Sequence, residues 1–370
     1  MRIQTIDWIL YIVTFLLIIF GVVVIYSITY GQASTKSFFE HQIIFACIGL
    51  VLMIVFSFID YRALKAVALP LYIILLILLI FLLFGLFGKT ILGATRWFNI
   101  GPFQFQPSEL FKLVAIIMVA RVCDKMDLTL KDLIFAVILI FLPVILVLKQ
   151  PDFGTALTLF ISGVVVIFAA GFNKKYLIAL GALVVIFLSI FLLSSFSVPP
   201  FGGILKDYQK DRIHTFLNPQ KDPFGSGYNV SQAVIAVGSG GFFGRGLGYG
   251  PQSQLNFIPS KYNDFIFSVA AEAFGFVGAS IMLGLFFVLF LRILRVASKA
   301  RDNFGTLLSY GILSYFVVSV LINVGMNMGL MPTTGIPLPF ISYGGTSLLT
   351  SLIAIGICQS IMIRHKKITF

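Results

Sequence analysis

Charged side chains are scarce in this chain, so the few that stand beside apolar runs are the ones able to do chemistry. Asn263-Asp264-Phe265-Ile266-Phe267 closes a polar stretch and opens an apolar one, and Glu272 follows eight residues after Asp264, about two turns on and on a similar helical face. Asp264 reads either as the cap of the helix that follows or as a site carboxylate able to accept a proton. Gln106-Pro107-Ser108-Glu109 reads as a helix start, with Glu109 in the first turn, where an acid suits the helix dipole. Lys112 shares its face one turn later, which leaves two readings: a neutralised pair turned into a bundle, or an outward cleft that binds an anion. Asp152, within Gln150-Pro151-Asp152-Phe153-Gly154-Thr155, is likewise a cap or a site group. Between 197 and 263, Lys206, Lys210, Arg212, Lys221, Arg245 and Lys261 outnumber Asp207, Asp211 and Asp222, a surplus of cations suited to a pyrophosphate. His41, His214 and His365 show no metal-ligand spacing. The run Gly238-Ser239-Gly240-Gly241 to Gly250 lacks the preceding strand and the following Lys-Ser/Thr of a phosphate loop, so its glycines read as loop flexibility.

The elements that position these groups are membrane helices. A chain of 370 residues with 59% hydrophobic and 11% charged residues and a mean hydropathy of +1.04 is not a soluble domain. Apolar runs near 8–30, 42–58, 67–88, 108–122, 132–149, 154–171, 175–196, 264–291, 304–330 and 343–363 predict ten helices. Most have the length that a hydrocarbon core of about 30 Å demands. The expected fold is an all-α integral membrane protein with residues 1–370 as a single polytopic domain and 197–263 as its large loop. No run shows the alternation of a barrel strand, so strands are not expected. Ionisable groups at membrane depth cost about 2.5–3.5 kcal/mol each on insertion scales, which singles out Glu109, Lys112 and Glu272. Pro332, Pro337 and Pro339 ahead of Gly344-Gly345 mark either a broken crossing that lines a cavity or a simple reversed turn.

Lys and Arg collect in one set of connections: Arg62 and Lys65; Arg121, Lys125 and Lys131; Lys174 and Lys175; Arg292, Arg295, Lys299 and Arg301; Arg364, Lys366 and Lys367. These should be cytoplasmic, with both termini inside and the 197–263 loop outside. The first helix carries no small-residue cleavage site and reads as a retained anchor. The net charge of +12 is then a topology signal, with anionic membrane lipid rather than nucleic acid as its partner. Cys47, Cys123 and Cys358 imply no disulfide.

A set of blocks in order carries a resemblance that covers nearly the whole chain. They are Thr95-Arg96-Trp97, Gln106-Pro107-Ser108-Glu109-Leu110-Phe111-Lys112, the Gln150-Pro151-Asp152 block and Asp222-Pro223-Phe224-Gly225-Ser226-Gly227-Tyr228. Gly238-Ser239-Gly240-Gly241, Gln252-Ser253-Gln254-Leu255, Asp264-Phe265-Ile266-Phe267, Asn323-Val324-Gly325-Met326 and Thr334-Gly335-Ile336-Pro337-Leu338-Pro339-Phe340-Ile341-Ser342-Tyr343-Gly344-Gly345 follow. With them the chain resembles the SEDS family of peptidoglycan polymerases, closer to its elongation branch than to its division branch. The resemblance implies an inverting glycosyltransferase of the bacterial inner membrane that joins lipid II units at the outer face and releases undecaprenyl pyrophosphate. It carries the family's essential aspartate onto Asp264, and its other conserved charges onto Glu109, Lys112 and Asp152. Asn263, where the family often has Thr, and Ala273, where it has a second Glu, are departures around Asp264.

The implied reaction needs one base, Asp264, and cations for the departing pyrophosphate, drawn from Arg96, Arg212, Arg245 and Lys112, with Lys261 and Glu272 also near the substrate. A divalent cation, Mg or Mn, could share that work, although the chain shows no dedicated site for one. The implied partners are a class B penicillin-binding protein transpeptidase and membrane proteins of the elongation complex. A lipid II flippase or other polyprenyl-lipid transporter is the rival reading, and a scaffold that only recruits a polymerase is a third. The lack of an inverted repeat and the clustering of polar groups at one face argue against the transporter.

Overall fold

The computed structural model describes residues 6–30, 35–85, 88–91, 94–100, 103–198, 207–218, 222 and 225–365. Lys206, Lys221, Pro223, Phe224, Lys366 and Lys367 of the sequence reading lie outside the described residues. The helices are α1 (Trp8–Thr29), α2 (Lys36–Phe58), α3 (Ala63–Leu83), α4 (Pro107–Cys123), α5 (Leu130–Lys149), α6 (Phe153–Ala169) and α7 (Lys174–Ser195). They continue with α8 (Asp207–Leu217), α9 (Ser226–Ser239), α10 (Pro251–Gln254), α11 (Ile266–Lys299), α12 (Asn303–Asn327) and α13 (Gly345–Ile363). Each of the ten apolar runs contains a helix, and among the described residues α1, α2, α3, α5, α11, α12 and α13 are long and apolar enough to cross a membrane.

Two expectations are corrected. The chain is not all-α, because β1 (Gly88–Ile91), β2 (Ala94–Ile100) and β3 (Phe103–Phe105) form an antiparallel sheet in the order β1-β2-β3. Its register pairs Lys89 with Trp97 and Phe98 with Phe105. The strand argument concerned backbone in contact with lipid. This sheet lies in a connection between apolar runs, where an open edge can be hydrated. The second correction is that α11 begins at Ile266 rather than 264, runs on to Lys299 and is broken at Gly275 (φ 66°, ψ −165°).

Burial separates an inner from an outer set of helices. Almost every side chain of α4 from Pro107 to Cys123 is buried, and α12 and α13 are largely enclosed. By contrast α1, α2, α3, α5 and α11 turn large apolar residues outward, among them Trp8, Ile12, Val51, Ile74, Ile138 and Phe287. An outward apolar face on a spanning helix is what lipid solvates. The inner helices pack α12 against α6, α4 and α11, and α13 against α2. Helix starts are fixed by their own side chains at several places: Asp7 accepts from the Leu10 N–H, Asp152 from Thr155 and Asp302 from Gly305, at 3.1, 3.1 and 2.8 Å. Charged pairs at one end of the bundle tie elements together, with Arg292 on Asp7 at 2.5 Å and Arg62 on Asp302 at 2.9 Å.

Candidate active site

The site forms where α11 starts. Asp264 precedes the helix, yet its carboxylate caps nothing: the cap position belongs to Phe265, which supplies no side-chain bond. Among the described residues that carboxylate accepts no hydrogen bond, and it stays partly buried. It faces Arg212 of α8, Asp152 at the start of α6 and Arg96 of β2. Burial pushes the Asp264 carboxyl up to about 6, with the guanidinium groups of Arg212 and Arg96 opposing and Asp152 adding to the rise. The helix-cap alternative thus fails for Asp264 and holds for Asp152.

Asp152 does more than cap. Its other oxygen accepts from Gln106 Nε2 at 2.9 Å and lies 4.0 Å from Arg96 Nη1. Arg96 is held in turn by the carbonyls of Gln150, at 2.8 Å, and Pro151, and its guanidinium lies 5.9 Å from the Trp97 ring centre. Arg212 donates to the Thr333 carbonyl at 3.1 Å. It lines two cavities: one of about 800 Å³ between α8, α9 and residues 328–333, and a smaller apolar one of about 200 Å³ against Phe153, Leu157 and Ile322.

The segment 328–344 wraps this region. It has no regular structure, yet Ile336, Leu338, Phe340 and Ile341 are fully buried in it, so the proline-bearing segment is packed into the protein. Ser342 Oγ donates to the Asn263 carbonyl at 2.6 Å, and the Tyr343 N–H to that of Tyr262 at 2.8 Å. From α12, Asn323 and Asn327 both donate to the Asp264 carbonyl, at 3.0 and 2.9 Å. Sequence reasoning gave these asparagines no role. The available signal was two amides one turn apart in an otherwise apolar helix, which do not sit at depth without partners.

Other predicted site residues lie in different settings. Lys112 donates to Glu109 at 2.8 Å, both side chains are buried, and the ammonium sits 5.1 Å from the Tyr315 ring centre. Of the two readings, the geometry has the neutralised pair turned into the bundle. Glu272 is fully buried and accepts from the backbone of Gln252 and Ser253 at 2.9 and 3.0 Å, so it anchors α10. Lys261 spends its ammonium on the Ser253 carbonyl and on Asn256 Oδ1, and burial lowers it to about 8 against the pull of Glu272. Arg245 is exposed and donates to the Ser239 carbonyl at 3.0 Å.

The glycine-rich run is a packing device rather than a flexible loop. At the break in α11, the carbonyls of Glu272 and Ala273 accept from the N–H groups of Arg245 and Gly246, and the N–H groups of Phe276 and Val277 donate to the carbonyls of Gly241 and Phe242. A Cβ on Gly275 would stand 2.3 Å from the Gly244 nitrogen, so backbone meets backbone with no room for a side chain. Among the described residues no group of three His, Cys, Asp or Glu converges on a point where a metal ion could be held.

The chain can then be set beside known proteins. It is 37% identical over 360 residues to the peptidoglycan glycosyltransferase MrdB of Escherichia coli K12, covering 96% of this chain and 94% of that one. It is 38% identical over 370 residues to a probable peptidoglycan glycosyltransferase FtsW of Trichlorobacter lovleyi, covering 97% and 94%. In structure it matches a chain described in work on the coordination of polymerization and crosslinking by a peptidoglycan synthase complex, with a TM-score of 0.79, 29% identity and coverage of 97% and 98%. It also matches the rod shape determining protein RodA of Thermus thermophilus, with a TM-score of 0.68, 26% identity and 96% coverage of both chains. The profile of the cell cycle proteins FtsW, RodA and SpoVE spans residues 7–367, and with relatives of this identity over nearly the full length, the chain belongs to that family.

Proposed function

We propose that this protein is a peptidoglycan glycosyltransferase that polymerises lipid II into β-1,4-linked glycan at the outer face of the cytoplasmic membrane. The names of its relatives and its match to a peptidoglycan synthase complex support the activity. The observation that carries the mechanism is an Asp264 carboxylate that caps no helix and stands among Arg212, Arg96 and Asp152. A carboxyl tuned to about 6 is ionised at neutral pH and still basic enough to accept a proton in the transition state.

In the reaction, the acceptor sugar hydroxyl attacks the donor anomeric carbon while its proton passes to Asp264. The bond from that carbon to the pyrophosphate oxygen breaks on the opposite face. Inversion needs one base and no covalent intermediate, as in inverting glycosidases. Undecaprenyl pyrophosphate leaves with the electron pair, its charge met by Arg212 and Arg96. The mixed and apolar cavities that share Arg212 suit an amphiphile with sugars on one side of its pyrophosphate and a polyprenyl chain on the other. A divalent cation such as Mg²⁺, which keeps several of its waters and few protein ligands, would be held chiefly by the substrate's pyrophosphate and would offset its charge. Glu272 and Lys261 hold the region around α10 in place, Glu109 and Lys112 neutralise each other inside the bundle, and Arg245 reaches substrate only from the rim.

In the cell the chain crosses the inner membrane ten times, with both termini inside and the 197–263 region outside, and works in elongation beside a class B penicillin-binding protein. The lysine and arginine distribution supports the topology, and the synthase complex supports a crosslinking partner. The test is polymerisation of purified lipid II by wild type and Asp264→Asn, with and without a transpeptidase partner. Glycan made by wild type and lost in a folded Asp264→Asn supports the proposal. Equal polymerisation by both removes Asp264 as the base, and transfer of unaltered lipid II across liposomes without polymer establishes the transporter instead.

A further inference from the structure

We propose that Asn327 is a positioning residue that caps α11 from the neighbouring helix and so keeps the Asp264 carboxylate free for the acceptor. The inference rests on Asp264 as the base and goes beyond it, to what stops that carboxylate from doing the commoner job of an aspartate ahead of a helix. In this same chain Asp7, Asp152 and Asp302 each bond an N–H of the helix that follows them. Those three occupy the cap position itself, whereas Asp264 stands one residue ahead of the cap position of α11, at Phe265, and bonds none of its N–H groups.

The acceptor comes from α12 instead. Counted from the cap position at Phe265, Ser268 is the third residue of the helix, whose N–H an N-cap oxygen ordinarily accepts. Its N–H donates to Asn327 Oδ1 at 3.0 Å and its hydroxyl to the same oxygen at 2.6 Å. Asn327 Nδ2 donates to the Asp264 carbonyl at 2.9 Å and to the Asn323 carbonyl at 2.8 Å. Turning this amide over would set its NH₂ against an N–H donor and its oxygen against two carbonyls, so the network fixes its orientation. Asn323 Nδ2 gives the Asp264 carbonyl its second bond, at 3.0 Å, and ties in the Ile336 carbonyl at 2.8 Å. One fully buried amide therefore ends the unmet need of α11 for an acceptor and grips the backbone of the residue whose side chain must stay uncommitted.

The consequence is a competition. Without Asn327, the Asp264 carboxylate, two residues ahead of the helix, competes for the first-turn N–H groups, and in taking them it turns away from Arg212, Arg96 and Asp152, the charged groups it faces now. A carboxylate that accepts backbone N–H bonds at a helix start is also held more acidic.

The test uses purified full-length Asn327→Leu, Asp264→Ala and the double variant. Thermal unfolding is read first, because it does not depend on any activity. Asp264→Ala should leave the wild-type midpoint unchanged or raise it, whereas in the Asn327→Leu background the same substitution should lower the midpoint by several degrees, as loss of a cap does. In lipid II polymerisation, Asn327→Leu should lower kcat by about 10²-fold with KM within a factor of about two, and should move the acidic limb of the pH profile to lower pH. Asn323→Leu, which keeps the cap, should leave that limb in place. Additive midpoints together with an unmoved acidic limb overturn the proposal, while a non-additive cycle in a protein that makes no glycan would retain the cap exchange and count against the proposed activity. If Asn327→Leu does not fold, Asn327→Ser, too short to reach the Asp264 carbonyl, carries the same cycle.

Discussion

At the residue scale the site turns on one carboxyl. Its displacement has a defined sign for stability: the folded state favours the protonated form, so ionisation weighs against folding. That penalty is absent below the unfolded value near 3.8, grows as pH rises towards the folded value of about 6, and is complete above it. Its full size is about 2–3 kcal/mol. Asp264→Asn should accordingly melt higher than wild type at pH about 7.5, with the difference gone near pH about 4, while polymerisation falls by about 10²–10⁴-fold. In wild type the polymerisation rate should drop as pH falls through about 6, which a pH profile of initial rates checks. Arg212 and Arg96 differ in attachment, since Arg96 is held by two carbonyls beside Asp152 and Arg212 borders the cavities. Arg212→Lys keeps the charge but loses the planar fork, and it should reduce kcat/KM by at least about 10-fold with the fold intact by thermal unfolding.

At the element scale the break in α11 decides how the polar region rests on the bundle. The carbonyls of Glu272 and Ala273 and the N–H groups of Phe276 and Val277, on either side of Gly275, are met by the glycine-rich run, and Glu272 holds the start of α10 three residues earlier in the same helix. Gly275 has a conformation open essentially to glycine alone, and its Cβ position is filled by the backbone of Gly244 and Phe242. Gly275→Ala should therefore destabilise by roughly 2–4 kcal/mol, seen as a fall in thermal midpoint and in yield of folded protein. Glu272→Ala should spare the transmembrane bundle and release residues 250–255, which limited proteolysis would detect as new cleavage there; protection equal to wild type would contradict the anchoring role.

At the scale of the whole molecule, the inner helices α4, α12 and α13 carry the polar interior, and the outer ones present lipid-soluble faces. The proposed orientation has a direct check. In a background with Cys47, Cys123 and Cys358 replaced, Asn218→Cys should react with a membrane-impermeant maleimide on intact spheroplasts, and Lys299→Cys only after permeabilisation. The reverse pattern would invert the topology. The proposed orientation would let a polyprenyl tail stay in lipid while its sugars reach the proposed base Asp264 from water.

The sequence alone determined the class, the ten helical runs and the ordered blocks that carry the family, because hydropathy over about 20 residues is a local sum that needs no partner. It also pointed to Asp264, Asp152, Arg96 and Arg212. It could not show that the first turn of α11 finds its acceptor in Asn327, whose amide arrives from another helix, rather than in Asp264. Nor could it place Lys112 in a closed pair under Tyr315, or show that the glycines near 240 are gripped by a broken helix. The small sheet was hidden for a related reason, as strands of three to seven residues gain their bonds from pairing with one another. Spans follow from solvent preference residue by residue, whereas the commitment of each polar atom is settled only when a distant donor or acceptor has been brought within 3 Å of it.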